Sequence, residues 1–115
     1  MLKETVKLND MSPQILLAVM VAAPLFAEHS IECVITSLND SGKWHRQHSL
    51  HAIGHAVDLR TKNLPLGNAK KIRFAQDLWD RLGGRYGTFD VVLENLGQDN
   101  EHLHIEYQPH TAVGG

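Results

Sequence analysis

One cysteine in 115 residues, Cys33, excludes an intramolecular disulfide and every four-cysteine metal site. It lies in the apolar run 31–35, where a thiol reads as buried and inert. A surplus of either charge is also missing. Eleven Lys and Arg stand against 13 Asp and Glu, a net charge of −2 with histidines neutral. Nothing in that balance grips nucleic acid or an anionic membrane. Aromatics make up 6% of the chain, too few to interleave with basic residues along a single-stranded nucleic acid. Long hydrophobic runs are absent as well. The apolar stretch 15–27 has 13 residues without a charge, short of the roughly 20 needed to span a bilayer. A secretory signal wants a basic leader, and residues 1–14 set Lys3 and Lys7 against Glu4 and Asp10. The stretch therefore reads as a core helix. The expectation is a chain synthesised in the cytoplasm without an export signal of its own, and no membrane insertion.

Histidine is what the sequence has in excess. Of eight, six fall in two short stretches, at 45–55 and 102–104. Imidazole is the commonest neutral metal ligand and the usual proton carrier near pH 7, so this clustering points to metal or acid–base chemistry. His29 and His110 stand alone and read as surface residues.

No repeat, low-complexity tract or linker divides the chain, which predicts one domain over 1–115. Ser12-Pro13 is an N-cap followed by proline at the first helical position, opening a helix over 13–28 that Pro24 is placed to bend. Residues 31–37 are rich in β-branched side chains and predict a strand, followed by turn chemistry at 39–42 and a polar loop over 43–49. A second strand is expected at 55–60. Apolar residues at Ile72, Phe74, Ala75, Leu78, Trp79 and Leu82 give a helix over 68–82, ended by Gly83-Gly84. Two more strands follow, at 89–94 and 102–107. The order α-β-β-α-β-β predicts an α+β domain, a small antiparallel sheet with helices on one side.

Strand alternation decides which side chains can meet. Val57 and Leu59 share one face of the second strand, and Leu103, Ile105 and Tyr107 one face of the last; these are the expected core. Asp58, His102, His104 and Glu106 then share the opposite face. Two imidazoles and a carboxylate leave a fourth zinc position open, the pattern of a catalytic rather than a structural ion. Glu106 reads as a supporting or surface carboxylate. His51 and His55, at i and i+4, would be a helical metal pair, but Gly54 and the strand pattern after it argue against a helix there.

Ser49-Leu-His51-Ala-Ile-Gly54-His-Ala56-Val-Asp58 resembles the S-x-H-x-x-G-x-A-x-D signature of the zinc D-alanyl-D-alanine peptidases. Glu101-His-Leu-His104 resembles their second motif, in which an acidic residue stands three before the last ligand. The histidine-x-histidine form is also seen in lysostaphin-type and Hedgehog-fold relatives, and phage endolysins that cut L-alanyl-D-glutamate bonds belong to the same group. The resemblance spans about 31–109. It implies a Hedgehog/DD-peptidase fold with zinc held by His51, Asp58 and His104. It also implies Glu101 as general base, His102 at the oxyanion or in proton transfer, and Ser49 at the substrate. Glu94, which closes the preceding strand on the same face as Asp90, is the reserve candidate for the base. His45 is a further candidate substrate residue. The family's arginine after the strand before the zinc motif is absent. Arg46, Arg60, or His45 with His48 stand as alternatives for its place.

The expected function is a monomeric zinc peptidase that hydrolyses peptidoglycan stem peptide at the bacterial cell wall, as a D-Ala-D-Ala carboxypeptidase or an L-Ala-D-Glu endopeptidase of endolysin type. Two other classes stand beside it: a catalytically silent zinc-binding interaction module of the same fold, and a metal-sequestering histidine-rich protein.

Overall fold

Ser12 and Pro13 start the first helix as their chemistry dictates. Ser12 sits in extended geometry (φ −67°, ψ 158°), and its hydroxyl accepts the Ile15 N–H at 3.2 Å. The structure is a computed structural model that describes residues 11–39 and 55–108. In it α1 (Pro13–Ala27) runs through Pro24 and ends where Ser30 takes a left-handed φ of 60° and Ile31 N–H returns to the Phe26 carbonyl at 3.1 Å. Its buried face is Ile15, Ala18, Ala22, Leu25 and Phe26.

The strands are β1 (Ile35–Asn39), β2 (Ala56–Arg60), β3 (Phe89–Glu94) and β4 (His102–Tyr107), with α2 (Asn68–Arg81) between β2 and β3. They form one antiparallel sheet in the order β1-β2-β4-β3. The coarse α+β expectation holds. The first strand differs from the reading of the sequence: it begins at Ile35 rather than 31 and reaches Asn39. Its partner β2 ends at Arg60, whose N–H meets the Val34 carbonyl at 2.9 Å, so residues 31–33 have no strand left to pair with. A register shift between Ile35 and Ser37 marks a bulge at that end.

Phe74, Ala75 and Leu78 of α2 join the α1 residues over one face of the sheet, where Val57, Leu59, Leu103 and Ile105 are all fully buried. Phe26 and Phe74 meet edge-on, with ring centroids 4.9 Å apart. Tyr107, expected in the core, is half-buried at its margin beside Phe89. The connection from α2 to β3 is a tight glycine turn through a 3₁₀ segment (Gly84–Tyr86). A Cβ on Gly87 would lie 2.5 Å from the Leu82 carbonyl oxygen, so a side chain there has no room. This turn lets β3 fold back beneath α2 and form the outer edge of the sheet.

Candidate metal centre

With the helices on one face, the other face is built from three rows of residues paired across strands. Arg60, His102 and Glu94 form one row. Asp58, His104 and Val92 form the next, and Ala56, Glu106 and Asp90 the third. Buried apolar residues alternate with them along β2 and β4, which is why the polar set converges on the side away from the core.

Asp58 and His104, directly opposed, bring Asp58 Oδ1 and His104 Nδ1 to 2.7 Å. The other ring nitrogen, Nε2, lies 3.2 Å from Glu106 Oε1. His102 Nδ1–H donates to the Asn100 carbonyl at 2.8 Å, and its Nε2 lies 2.7 Å from Glu94 Oε1 and 3.8 Å from Asp58 Oδ1. Each imidazole thus faces acceptors through both nitrogens, which favours its doubly protonated form. The hydrogen bond that His104 donates to the Asp58 carboxylate raises its pKa to about 9, against the opposing effect of burial and with help from Glu106. For His102 burial pushes downward, but the Asn100 carbonyl and the Glu94 carboxylate outweigh it, and its pKa too lies above the ordinary value.

Asp58 and His104 fit a zinc ion by donor chemistry and by placement. In tetrahedral zinc with bonds near 2.0–2.1 Å, ligand atoms stand about 3.3 Å apart, so this pair needs to open by only about half an ångström. A bound cation would take the place of the shared proton. Among the described residues, no set of three His, Cys, Asp or Glu side chains is arranged to hold a metal. The expected third ligand, His51, lies outside the described residues, as do Ser49 and His45 of the substrate set and Arg46 and His48.

Glu101 is placed differently from the rest. It precedes β4 in the same alternation as Leu103 and Ile105, so it faces the helices and is 5% exposed. Its Oε2 accepts from Thr61 Oγ1 at 2.6 Å and from Lys71 Nζ at 2.8 Å. Its Oε1 accepts from the Gly97 N–H at 3.1 Å and from the same ammonium at 3.2 Å. Burial by itself raises the Glu101 pKa, and the bonds from Lys71, Thr61 and Gly97 together more than reverse it, leaving the carboxyl below its ordinary range. Sequence reasoning missed this cluster. The signal was there: Lys71 stands in the apolar helical register of Phe74, Ala75 and Leu78, and a lysine in a buried stripe requires an anion.

A cleft of about 510 Å³ opens beside the row of Arg60 and His102. Asp58, His102 and Glu101 line it, together with Asp99 and the two cations Arg60 and Lys62. Neither cation pairs with a carboxylate among the described residues.

Comparison with protein-family models, with curated proteins and with solved structures finds no significant match to this chain. The chemistry of the polar face therefore rests on its own geometry.

Proposed function

We propose that this protein is a zinc-dependent peptidase of the Hedgehog/DD-peptidase type that hydrolyses peptide bonds in bacterial peptidoglycan stem peptides. The observation that carries the reading is the Asp58–His104 pair, two metal-type donors 2.7 Å apart on the open face of the sheet with an acid–imidazole pair beside them. His51 completes the ligand set in this proposal. Zinc held there supplies a Lewis acid that activates water and polarises a carbonyl oxygen.

The chain's own residues account for the proton. The Glu94 carboxylate and His102 imidazole, 2.7 Å apart, share the metal face and can accept a proton from water and return it to a leaving amine. Glu101, the first choice on the motif alone, has its carboxylate engaged on the helix side, so the base role passes to Glu94. Incubating zinc-loaded protein with purified peptidoglycan, and identifying the released peptides by mass, tests the reading. Release should stop when a chelator is added, and the new terminus names the bond. Glu94→Gln should lower kcat by about 10²–10⁴-fold with zinc still bound. Unchanged turnover in that variant would remove Glu94 from the reaction.

Arg60 and Lys62 are the two cations of a cleft that Asp58, Asp99 and Glu101 also line, and in this reading they are the groups that take a free substrate carboxylate near the scissile bond. Arg60→Gln should cut kcat/KM for a peptide acid relative to its amide by about 10–100-fold, the worth of a charge-assisted hydrogen bond. An unaltered acid-to-amide ratio would rule Arg60 out as the anion site.

The engaged Glu101 carboxylate also favours a second reading, a zinc-binding interaction module of the same fold without catalysis. Zinc bound with ordinary affinity but no peptide released from any of several wall chemotypes would select it.

A further inference from the structure

The connection between β3 and β4, residues 95–101, carries a backbone atom that matters to the site. The Asn100 carbonyl takes the His102 Nδ1–H at 2.8 Å. A carbonyl only accepts, so this contact fixes a proton on Nδ1 and turns Nε2 toward Glu94 and Asp58. The histidine is only as well oriented as the loop that supplies the carbonyl.

That loop is tied down from within. One carboxylate, Glu101, takes the Gly97 N–H inside the loop, the hydroxyl of Thr61 just past the end of β2, and the ammonium of Lys71 on α2. Gly97 sits at φ +83°, a conformation that glycine adopts freely, so its N–H is aimed at the carboxylate without side-chain strain. Thr61, Lys71 and Glu101 are 1%, 7% and 5% exposed, so solvent does not compete for these bonds. A buried ion pair is a poor way to gain stability alone, since apolar residues of the same shape commonly serve as well or better. What this one does that apolar residues cannot is bind three separate elements at defined points: the end of β2 beyond Asp58 and Arg60, the loop before His102, and the helix beneath both.

We infer that the buried Lys71–Glu101 pair, with Thr61, is a positioning device that locks the β3–β4 loop and through the Asn100 carbonyl sets the tautomer and orientation of His102. Glu101 then acts through His102 and not on the substrate. The inference rests on the peptidase reading only for what an oriented His102 is used for; the orientation itself is independent of it.

Charge-balanced variants test this. Glu101→Gln alone leaves the Lys71 ammonium without its counter-charge, and Lys71→Met alone leaves the carboxylate so. The double variant E101Q/K71M is neutral and keeps an acceptor for the Gly97 N–H. Two readouts need no turnover: the His102 tautomer in metal-free protein, by nitrogen NMR at a pH where the ring is neutral, and zinc affinity by competition with a chelator. Each single variant should lower the Nδ1–H fraction and weaken zinc binding by roughly 10–100-fold, as loss of a residue supporting a metal site does. The double variant should recover most of that loss, because the two effects share one interaction. Thr61→Val, which keeps the ion pair, should move the tautomer in the same direction by less, and it decides the matter if a single variant fails to fold.

Wild-type tautomer and zinc affinity in every folded variant would overturn the inference. So would a Lys71→Met protein with normal turnover beside E101Q and E101Q/K71M proteins that bind zinc normally but do not turn over, since Glu101 would then be reacting directly. Wild-type protein that cleaves no wall peptide yet shows the expected tautomer changes would sink the peptidase reading and leave the positioning role standing.

Discussion

His104→Ala should abolish zinc binding at stoichiometric protein and metal, with peptidoglycan cleavage lost alongside it. The loss should exceed the roughly 10–100-fold cost of removing a residue that merely supports a ligand, because a donor atom itself disappears. His104 is opposed to Asp58 across the centre of the β2–β4 pair, and no other imidazole nitrogen lies as close to that carboxylate among the described residues. His102 Nε2, at 3.8 Å from the same oxygen, is already engaged by Glu94. Removing His104 also frees Glu106 from its 3.2 Å contact, which adds unpaired negative charge to the face but no donor of comparable geometry. The fold should survive, since the His104 side chain points away from the core formed by Leu103 and Ile105. A competition titration against a chelator, with far-ultraviolet circular dichroism as control, reads both parts. A folded His104→Ala protein that retains wild-type zinc affinity would dismiss the Asp58–His104 pair as a metal centre.

Lys71→Met carries the largest expected cost to stability, about 3–5 kcal/mol, because it strands the buried Glu101 carboxylate without its counter-charge. For a chain of this size that lowers the melting temperature by on the order of 10 °C or more. The pH dependence follows from the direction of the Glu101 shift. Its pKa in the folded protein lies below the ordinary 4.5, so the folded state favours the ionised form. The stabilisation is therefore fully present above about pH 4.5 and is lost as the pH falls through the folded-state value. The wild-type protein should thus lose stability on acidification. K71M should lose less over the same interval, because without the ammonium the carboxyl is no longer held low. Urea unfolding at several pH values checks this; curves for the two proteins that stay parallel down to acid pH would contradict it.

How far the sequence could be read follows from the kind of signal each residue carries. Alternation in β2 and β4 is local, so Val57, Leu59, Leu103 and Ile105 were legible as core and Asp58, His102 and His104 as the opposite face. Helix α2 was legible from its 3.6-residue period and its glycine stop. The start of β1 was not, because strand length depends on how much partner is available, and β2 runs out at Arg60. Glu101 shows a second kind of limit. Its place three residues before His104 drew attention to a catalytic role, whereas its parity with Leu103 turns it toward Lys71, 30 residues away in the chain. Spacing along the sequence speaks for one neighbour and pleating for the other, and in the fold pleating prevails. The pairing of Glu94 with His102 was similarly out of reach, since it depends on which strand lies next to β4.

Every side chain on the face of β2, β3 and β4 away from the helices carries an even number: 56, 58 and 60, 90, 92 and 94, 102, 104 and 106. The fully buried core residues of β2 and β4 beneath it, Val57, Leu59, Leu103 and Ile105, carry odd ones. The sheet therefore has a reading frame of two. Removing or adding one residue in the β3–β4 loop leaves two choices, to rebuild the loop or to slip the strand. A slip of one would press His102 and His104 into the helices and turn Leu103 and Ile105 outward. Changes of length in that loop are tolerable in pairs, or where the loop absorbs them, and Glu101 is the point at which the frame is fastened to the rest of the molecule.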